Sequence, residues 1–540
     1  MLREQKRIAI IGGGIMGVSI AHHLSKQISN DITIFERSDS LGGLASAFDY
    51  NGTQIDRYYH TVLSSDLSMH NLMKVAGVHE QLHFVETKQG FYDNGEIHPF
   101  NTPIDLMSYK PLNLIERFRL GLQVLYAQFQ KDWEEIDKIP VRDWLIKISG
   151  ERVYEKVWKP LLRAKFDTTY NNVPATYIWS RLIRMTSTRQ GVTSKEMMCY
   201  LEDGYPTLIN ALGDKLREAG VTINLSTAID SIDVQNGQSH GISTSDGTYH
   251  PFDIVISTLP SPILANLLPD DADTAFSDKL NSQEYLGVMC PILILKEKLS
   301  PYYVLNITDE RIPFTAVVET TNLIAPEHVG GNHLVYLPKY LAPNSEILQW
   351  SDEKIKSTWM EHFMSMFPDF DQSLIKDFIV QRARYVEPIR PLGTLDQIPS
   401  IASPISNLYM GNTAMFYPDL SNGEAVTKFA TKLAQQIIAE MPTLPARQLT
   451  ELDETIEAHP EKLDKTVVAQ VLDLEDTVEI RPDKLNKMML ARVVELDETI
   501  EARPEQLDKT VEAPASDLEE TIEARPEALD NTLEAEEAYS

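Results

Sequence analysis

The 540-residue chain is expected to adopt an α/β fold: a parallel sheet gathered from distant segments, an inserted region of mixed sheet and helix, and a disordered C-terminal tail. Three observations predict it. Apolar runs of strand length at 8–11, 32–35, 221–225, 253–257 and 407–411 are separated by very unequal lengths of chain, so one sheet must collect them discontinuously. Between them, residues 100–200 carry helical periodicity and residues 285–340 carry further strand-like runs. From residue 447 onward the chain is an acidic repeat too poor in apolar residues to form a core.

The first strand runs directly into Gly12-Gly13-Gly14-Ile15-Met16-Gly17, a G-x-G-x-x-G turn that opens a helix. The second strand ends on Glu36, nineteen residues after Gly17. Each part has a role in holding a dinucleotide. Gly12 permits the tight turn, Gly14 lets backbone approach a pyrophosphate, and Gly17 lets the helix lie close to the strand. The helix start, with Ile15 and Met16, offers free N–H groups and partial positive charge to the phosphates. Glu36 stands where a carboxylate accepts bonds from both ribose hydroxyls and would repel the extra phosphate of NADP. The pattern is that of a Rossmann-type domain.

The next residues, Arg37 to Ser46, contain Gly42-Gly43-Leu44. This stretch resembles the E-R-x-x-x-x-G-G motif of flavoenzymes of the glutathione-reductase-like, amine-oxidase-type superfamily. The resemblance implies FAD, with Arg37, Gly43 and Leu44 helping to hold its diphosphate. Residues 202–208 resemble the family's G-G-x-x-x-L turn, with Asp203-Gly204 where two glycines are usual. The strand 221–229 resembles the one whose last residue, here Ile229, lies near the adenine. Residues 408–412 and 418–425 resemble the closing flavin motif, in which Gly411, Asn412, Gly423, Glu424 and Ala425 would meet the cofactor. Asn412 replaces an acid common in the family. Over residues 6–440 the chain looks like a flavin-containing amine oxidase or protoporphyrinogen-oxidase-like FAD-dependent oxidoreductase. The implied division is a nucleotide-binding domain in three parts (1–100, 201–265 and 391–445), a substrate domain in a helical part (101–200) and a sheet part (266–390), and a tail (446–540).

Candidate catalytic residues come from two segments. Residues 55–61, with Ser65-Asp66 after them, resemble the F-H-T segment of UDP-galactopyranose mutases, which would place His60 near the isoalloxazine; a satisfied, partly buried histidine is the alternative. Residues 158–166 carry Arg163 and Lys165, which either face the flavin or an anionic substrate group or are helix-surface charges. On an extended strand Arg382 and Arg384 share one face and Tyr385 and Glu387 the other. The leading functional expectation is hydride removal from a C–N or C–C bond of a small-molecule substrate to flavin N5. A redox-neutral mutase reaction on a sugar nucleotide is the second, and a flavin-binding scaffold with little turnover the third. No Ser-His-Asp order, zinc spacing or P-loop offers a rival site, and no metal is expected.

Residues 112–133 and 144–158 read as helices. The apolar face of the first is expected to pack over a substrate pocket, with rest on a membrane surface as the alternative. No segment has the length of a membrane span. Two cysteines, Cys199 and Cys290, make no disulfide framework and suit a cytoplasmic location. The net charge of −30 is concentrated at the end: residues 447–540 hold 10 basic and 27 acidic residues, a net of −17. No basic stripe invites nucleic acid. The tail repeats with leucines every eleven residues from Leu452 to Leu529 and prolines every twenty-two from Pro460 to Pro526. It reads as a solvated spacer; its threonines between acids also resemble ligands of forkhead-associated, phosphothreonine-reading domains.

Overall fold

The computed structural model describes residues 6–27, 31–187, 197–270 and 272–441. The acidic repeat and its threonines lie outside the described residues. Five strands form a parallel sheet in the order Thr222–Asn224, Asp31–Phe35, Arg7–Ile11, Ile254–Ser257, Leu408–Met410. The register pairs Ile8 with Ile32 on one side and with Ile254 on the other. Ile8, Ala9, Ile10, Ile34, Val255 and Ile256 are fully buried, which is why these strands read as unbroken apolar runs rather than alternating ones. Helix Ile15–Gln27 packs against Tyr205–Glu218 and Gly423–Glu440. A three-stranded antiparallel sheet rests its middle strand, Gln238–Thr244, on Ile254–Ser257.

A second, eight-stranded mixed sheet is built around Glu284–Leu295, whose residues from Tyr285 onward are all buried. The long strand Ile375–Ile389 runs antiparallel beside it. Val304–Ile307 joins Gln89–Asp93 in parallel, so a segment from early in the chain completes this sheet. Helix Asp352–Met366 covers part of it through Trp359 and Phe363, and the Trp359 indole N–H donates to the Leu337 carbonyl at 3.0 Å.

Residues 103–187 are mainly helical, and their starts are written in the sequence. Thr102 with Asp105 and Asn113 with Glu116 form reciprocal capping boxes for helices Pro103–Ser108 and Leu114–Phe129. The structure corrects one expectation about Leu114–Phe129. Its buried side is only Leu120, Gln123 and Ala127, while Ile115, Phe118, Leu125 and Phe129 are at least half exposed. The helix carries more apolar side chains than one buried stripe can take, so a second stripe faces outward.

Candidate functional site

The C-terminal edge of the parallel sheet draws the glycine loop and its partners together, the place where open α/β sheets bind ligands. Gly13 N–H donates to Glu36 Oε2 at 2.8 Å, and Ser38 N–H donates to Oε1 at 2.9 Å. Glu36 is buried, yet each oxygen keeps a lone pair for another donor. Gly42 N–H reaches the Gly13 carbonyl at 2.9 Å, laying the 42–44 turn beside the first loop. Thr227 N–H bonds the Glu36 carbonyl at 2.8 Å, bringing Ile229 toward the same edge. Arg37 is exposed at the strand end.

The glycines differ in why they are glycines. A β-carbon on Gly17 would collide with the Gly12 carbonyl oxygen, so Gly17 serves helix–strand contact. Gly12 has φ +106°, and a β-carbon there would strike Thr258 Oγ1. A β-carbon on Gly14 would meet nothing nearer than 3.9 Å, where the Gly42 carbonyl and Gly43 Cα lie. The protein's own packing therefore leaves a cradle at Gly14 that a side chain would fill, next to the first-turn N–H groups of Ile15, Met16 and Gly17, which have no intrahelical acceptors. These features fit a dinucleotide diphosphate.

At the other end of the sheet, Gly411 N–H bonds the Ser257 carbonyl at 2.9 Å. The Asn412 amide is fully used within the protein: Nδ2 donates to the Leu259 carbonyl and Ser261 Oγ, while Oδ1 accepts from Ala414 N–H and Tyr285. Asn422 caps helix Gly423–Glu440 by accepting from Ala425 N–H at 3.0 Å. The Glu424 carboxylate turns to a neighbouring helix, accepting from Ser68 N–H, Ser68 Oγ and Met69 N–H between 2.8 and 3.1 Å. Sequence reasoning missed this tie, since 356 residues separate Ser68 from Glu424.

Near that helix start lies a partly open cavity, lined in part by Tyr177, Glu387, Arg390, Ala414, Tyr417 and Ser421. Lys165 reaches it through Glu387: the ammonium is 3.0 Å from Glu387 Oε2 and 3.3 Å above the Tyr340 ring. Both side chains are largely buried, at 10% and 15% exposure. Tyr340 and Tyr59 share a hydrogen bond of 3.1 Å, and burial pushes both phenols up. Arg390 is buried, donates to the Ala414 carbonyl and leaves Nε without a partner; desolvation draws its pKa down. Arg163 is elsewhere, in a surface ion pair with Glu310 at 2.6 Å. Arg382 pairs with Asp352 away from the cavity, which the same strand meets through Glu387 and Pro388.

His60 packs its ring 5.1 Å from that of Tyr205, and its Nδ1 has no partner. Burial lowers its pKa to about 4, so the ring is neutral near pH 7. It lines a second, smaller cavity with Asp56, Tyr59, Thr320 and Tyr336. Burial also raises Asp56 to about 7, and Asp56 Oδ1 and Thr320 Oγ1 are likewise unpartnered. No residue pattern marks Tyr340 or Arg390 as site residues, and Asp56 falls within the 55–61 segment without being singled out; their burial and neighbours in the fold draw notice to them.

Comparisons with known proteins agree with this geometry. A coproporphyrinogen III oxidase from Staphylococcus aureus is 24% identical over 324 residues, covering 54% of this chain and 68% of that protein. A phytoene desaturase from Fusarium fujikuroi is 25% identical over 321 residues, covering 52% and 53% respectively. Among solved structures, a protoporphyrinogen oxidase-like protein from Exiguobacterium superposes with a TM-score of 0.64 at 20% identity, over 81% of this chain and all of that one. A reduced UDP-galactopyranose mutase gives 0.63 at 15% identity, over 81% and 97%. At such identities these two superpositions speak for the fold alone. The family model for flavin containing amine oxidoreductases matches residues 15–426, so the chain belongs to that family and is an FAD-dependent oxidoreductase.

Proposed function

We propose that FAD lies along the sheet edge in a Rossmann-type domain and that a small-molecule substrate enters at the cavity lined by Tyr177, Glu387 and Arg390, giving up a hydride to flavin N5. The observation that carries this reading is the cradle at Gly14 beside Glu36, whose oxygens have capacity left for ribose hydroxyls. In it, Ile15, Met16, Gly17, Gly43, Leu44 and Arg37 hold the diphosphate, and Ile229 flanks the adenine. Gly411, Gly423 and Ala425 shape the flavin end, where the capped helix start supplies N–H groups to the pyrimidine carbonyls. Asn412 and Glu424 act through the backbone they brace. When bound, the flavin supplies a two-electron acceptor that an oxidant regenerates.

The chain's own residues then orient and desolvate the substrate. Glu387 presents its carboxylate at one wall, held from behind by Lys165, which rests on the ring of Tyr340, and burial keeps Tyr340 and its partner Tyr59 as neutral phenols. Arg163 is assigned no part. The proposed division keeps nucleotide-binding parts at 1–100, 201–265 and 391–445 around a substrate domain of 101–200 and 266–390, with strands Gln89–Asp93 and Glu96–Pro99 of the first part lying in the substrate-domain sheet. That both cysteines are free and buried supports a reducing, cytoplasmic setting. Purified protein should be yellow, and anaerobic addition of its substrate should bleach the flavin. A colourless protein that FAD does not restore would overturn the reading. Turnover that needs prior reduction of the flavin and consumes no oxidant would move it to a mutase-type reaction.

A further inference from the structure

Helix Thr176–Ser187 carries Tyr177, Ser180, Arg181 and Arg184 along one face, spaced i, i+3, i+4 and i+7. Tyr177 and Ser180 line the cavity, while Ile178 and Leu182 turn the other way into the helical core. Arg184 is spent within the protein, its guanidinium forking onto the buried Asp66 at 2.7 and 2.9 Å. Arg181 is accessible to solvent, and its Nη1 donates to the Tyr177 hydroxyl at 2.8 Å. Among the described residues no acid forms an ion pair with it. We infer that Arg181 is the subsite for a carboxylate on the substrate. This rests on the proposed hydride reading and deepens it by naming the substrate's chemical class.

The charges around the cavity are balanced except at Arg181. Glu387 is paired with Lys165 at 3.0 Å, and Asp419 with Lys428 at 3.0 Å. Arg390 has the attraction of Asp137. Arg181 belongs to the same surroundings. Interaction with Tyr177, and beyond it with Glu387, Tyr340 and Tyr59, holds its pKa above the usual guanidinium range against the opposing effect of desolvation. Three of those residues form one continuous wall with Lys165: Glu387 binds Lys165, which rests on the Tyr340 ring, whose hydroxyl meets that of Tyr59. Arg181 is therefore both open to solvent and close to the interior wall at which the substrate is placed.

A carboxylate fits this vacancy in charge and shape. Arginine offers five N–H donors in a planar fork that matches the two oxygens of a carboxylate. The bond to Tyr177 occupies Nη1 and fixes the fork, leaving Nη2 and Nε to a ligand. One uncompensated cation balances one negative charge; a phosphate dianion would bring a second toward Glu387. A dicationic amine would meet a like charge at Arg181. The rings of Phe166, Tyr177 and Tyr417 line the adjoining cavity, so the body bearing the carboxylate is apolar and flat.

The test titrates the full, FAD-loaded chain with benzoate, with its neutral isostere benzamide and with phenyl phosphate, following flavin absorbance and, independently, heat by calorimetry. Benzoate is expected to bind at least about ten-fold more tightly than benzamide, and more tightly than phenyl phosphate. Arg181→Met should lose about ten-fold or more for benzoate with benzamide, flavin content and melting temperature unchanged, and Arg181→Lys should recover part of the loss. Tyr177→Phe, which keeps the ring and removes the anchor of Arg181, should weaken benzoate about three-fold and guards against misfolding of the first variant. Benzoate that binds no better than benzamide, or equally well to Arg181→Met, overturns the inference, as does a preference for phenyl phosphate. Protein that takes up no FAD overturns the hydride reading instead, and the calorimetric titration still decides whether Arg181 binds the carboxylate.

Discussion

Gly14 and Gly17 sit three residues apart and answer substitution in opposite ways. Gly17 has no space for a β-carbon against the Gly12 carbonyl, whereas Gly14 has space that the protein itself leaves open. Gly14→Ala should therefore fold with an unchanged melting curve in the FAD-free form and bind FAD at least about ten-fold more weakly, read by flavin fluorescence titration. Gly17→Ala should fail at folding. Lys165 shows a different dependence: Lys165→Met leaves Glu387 buried without its cation, an expected loss of about 3 kcal/mol in urea unfolding. Adding Glu387→Gln should recover part of that loss. Asp56 and His60 oppose each other with pH. Asp56, raised to about 7, favours the fold while protonated, so its contribution falls as pH rises from about 4 to 7. His60, lowered to about 4, favours the fold while neutral, so its contribution rises between about 4 and 6.5. Stability measured against pH should slope downward in that window in His60→Gln and upward in Asp56→Asn, with wild type flatter than either. Parallel curves for all three would exclude the assignment.

At the level of elements, the helix Gly423–Glu440 joins sheet, cofactor edge and substrate region. Its start is capped by Asn422, and its first acid caps a different helix, Leu67–Ala76, through Ser68 and Met69. Glu424→Gln keeps the acceptor oxygen but removes the charge that suits a helix N-terminus. The expected cost is about 1 kcal/mol in thermal unfolding, together with looser flavin retention on dilution. Strands and helices of this chain were legible to different degrees. The three central parallel strands, Asp31–Phe35, Arg7–Ile11 and Ile254–Ser257, stand out because burial makes them short, mainly apolar runs between polar stretches, whereas the edge strand Thr222–Asn224 is only partly buried. The pattern of Leu114–Phe129 correctly marks a helix, yet it reveals an apolar surplus without saying which stripe turns inward. Packing of Leu120, Gln123 and Ala127 against the neighbouring helices settles that.

At the level of the whole molecule, the cofactor edge gathers residues from 12 to 44, from 224 to 229 and from 411 to 425, and FAD would bridge them. Ligand that binds only the folded state stabilises it by mass action, so FAD in hundred-fold excess over its dissociation constant should add about 2.7 kcal/mol, with a matching rise in melting temperature. The same addition should do much less for Gly14→Ala. The amino-acid sequence by itself determined the cofactor class and the strands of the parallel sheet, because the glycine turn, the terminal acid and the apolar runs are local patterns whose spacing mirrors backbone geometry. Only the tertiary structure decided how Lys165 pairs with Glu387, why Glu424 faces Ser68, that Arg390 is buried and Asp56 Oδ1 left without a partner, and that Phe118 and Phe129 are exposed. Those relations join residues tens to hundreds of positions apart, and burial and partner, which set their charge and chemistry, exist only once the chain has closed on itself.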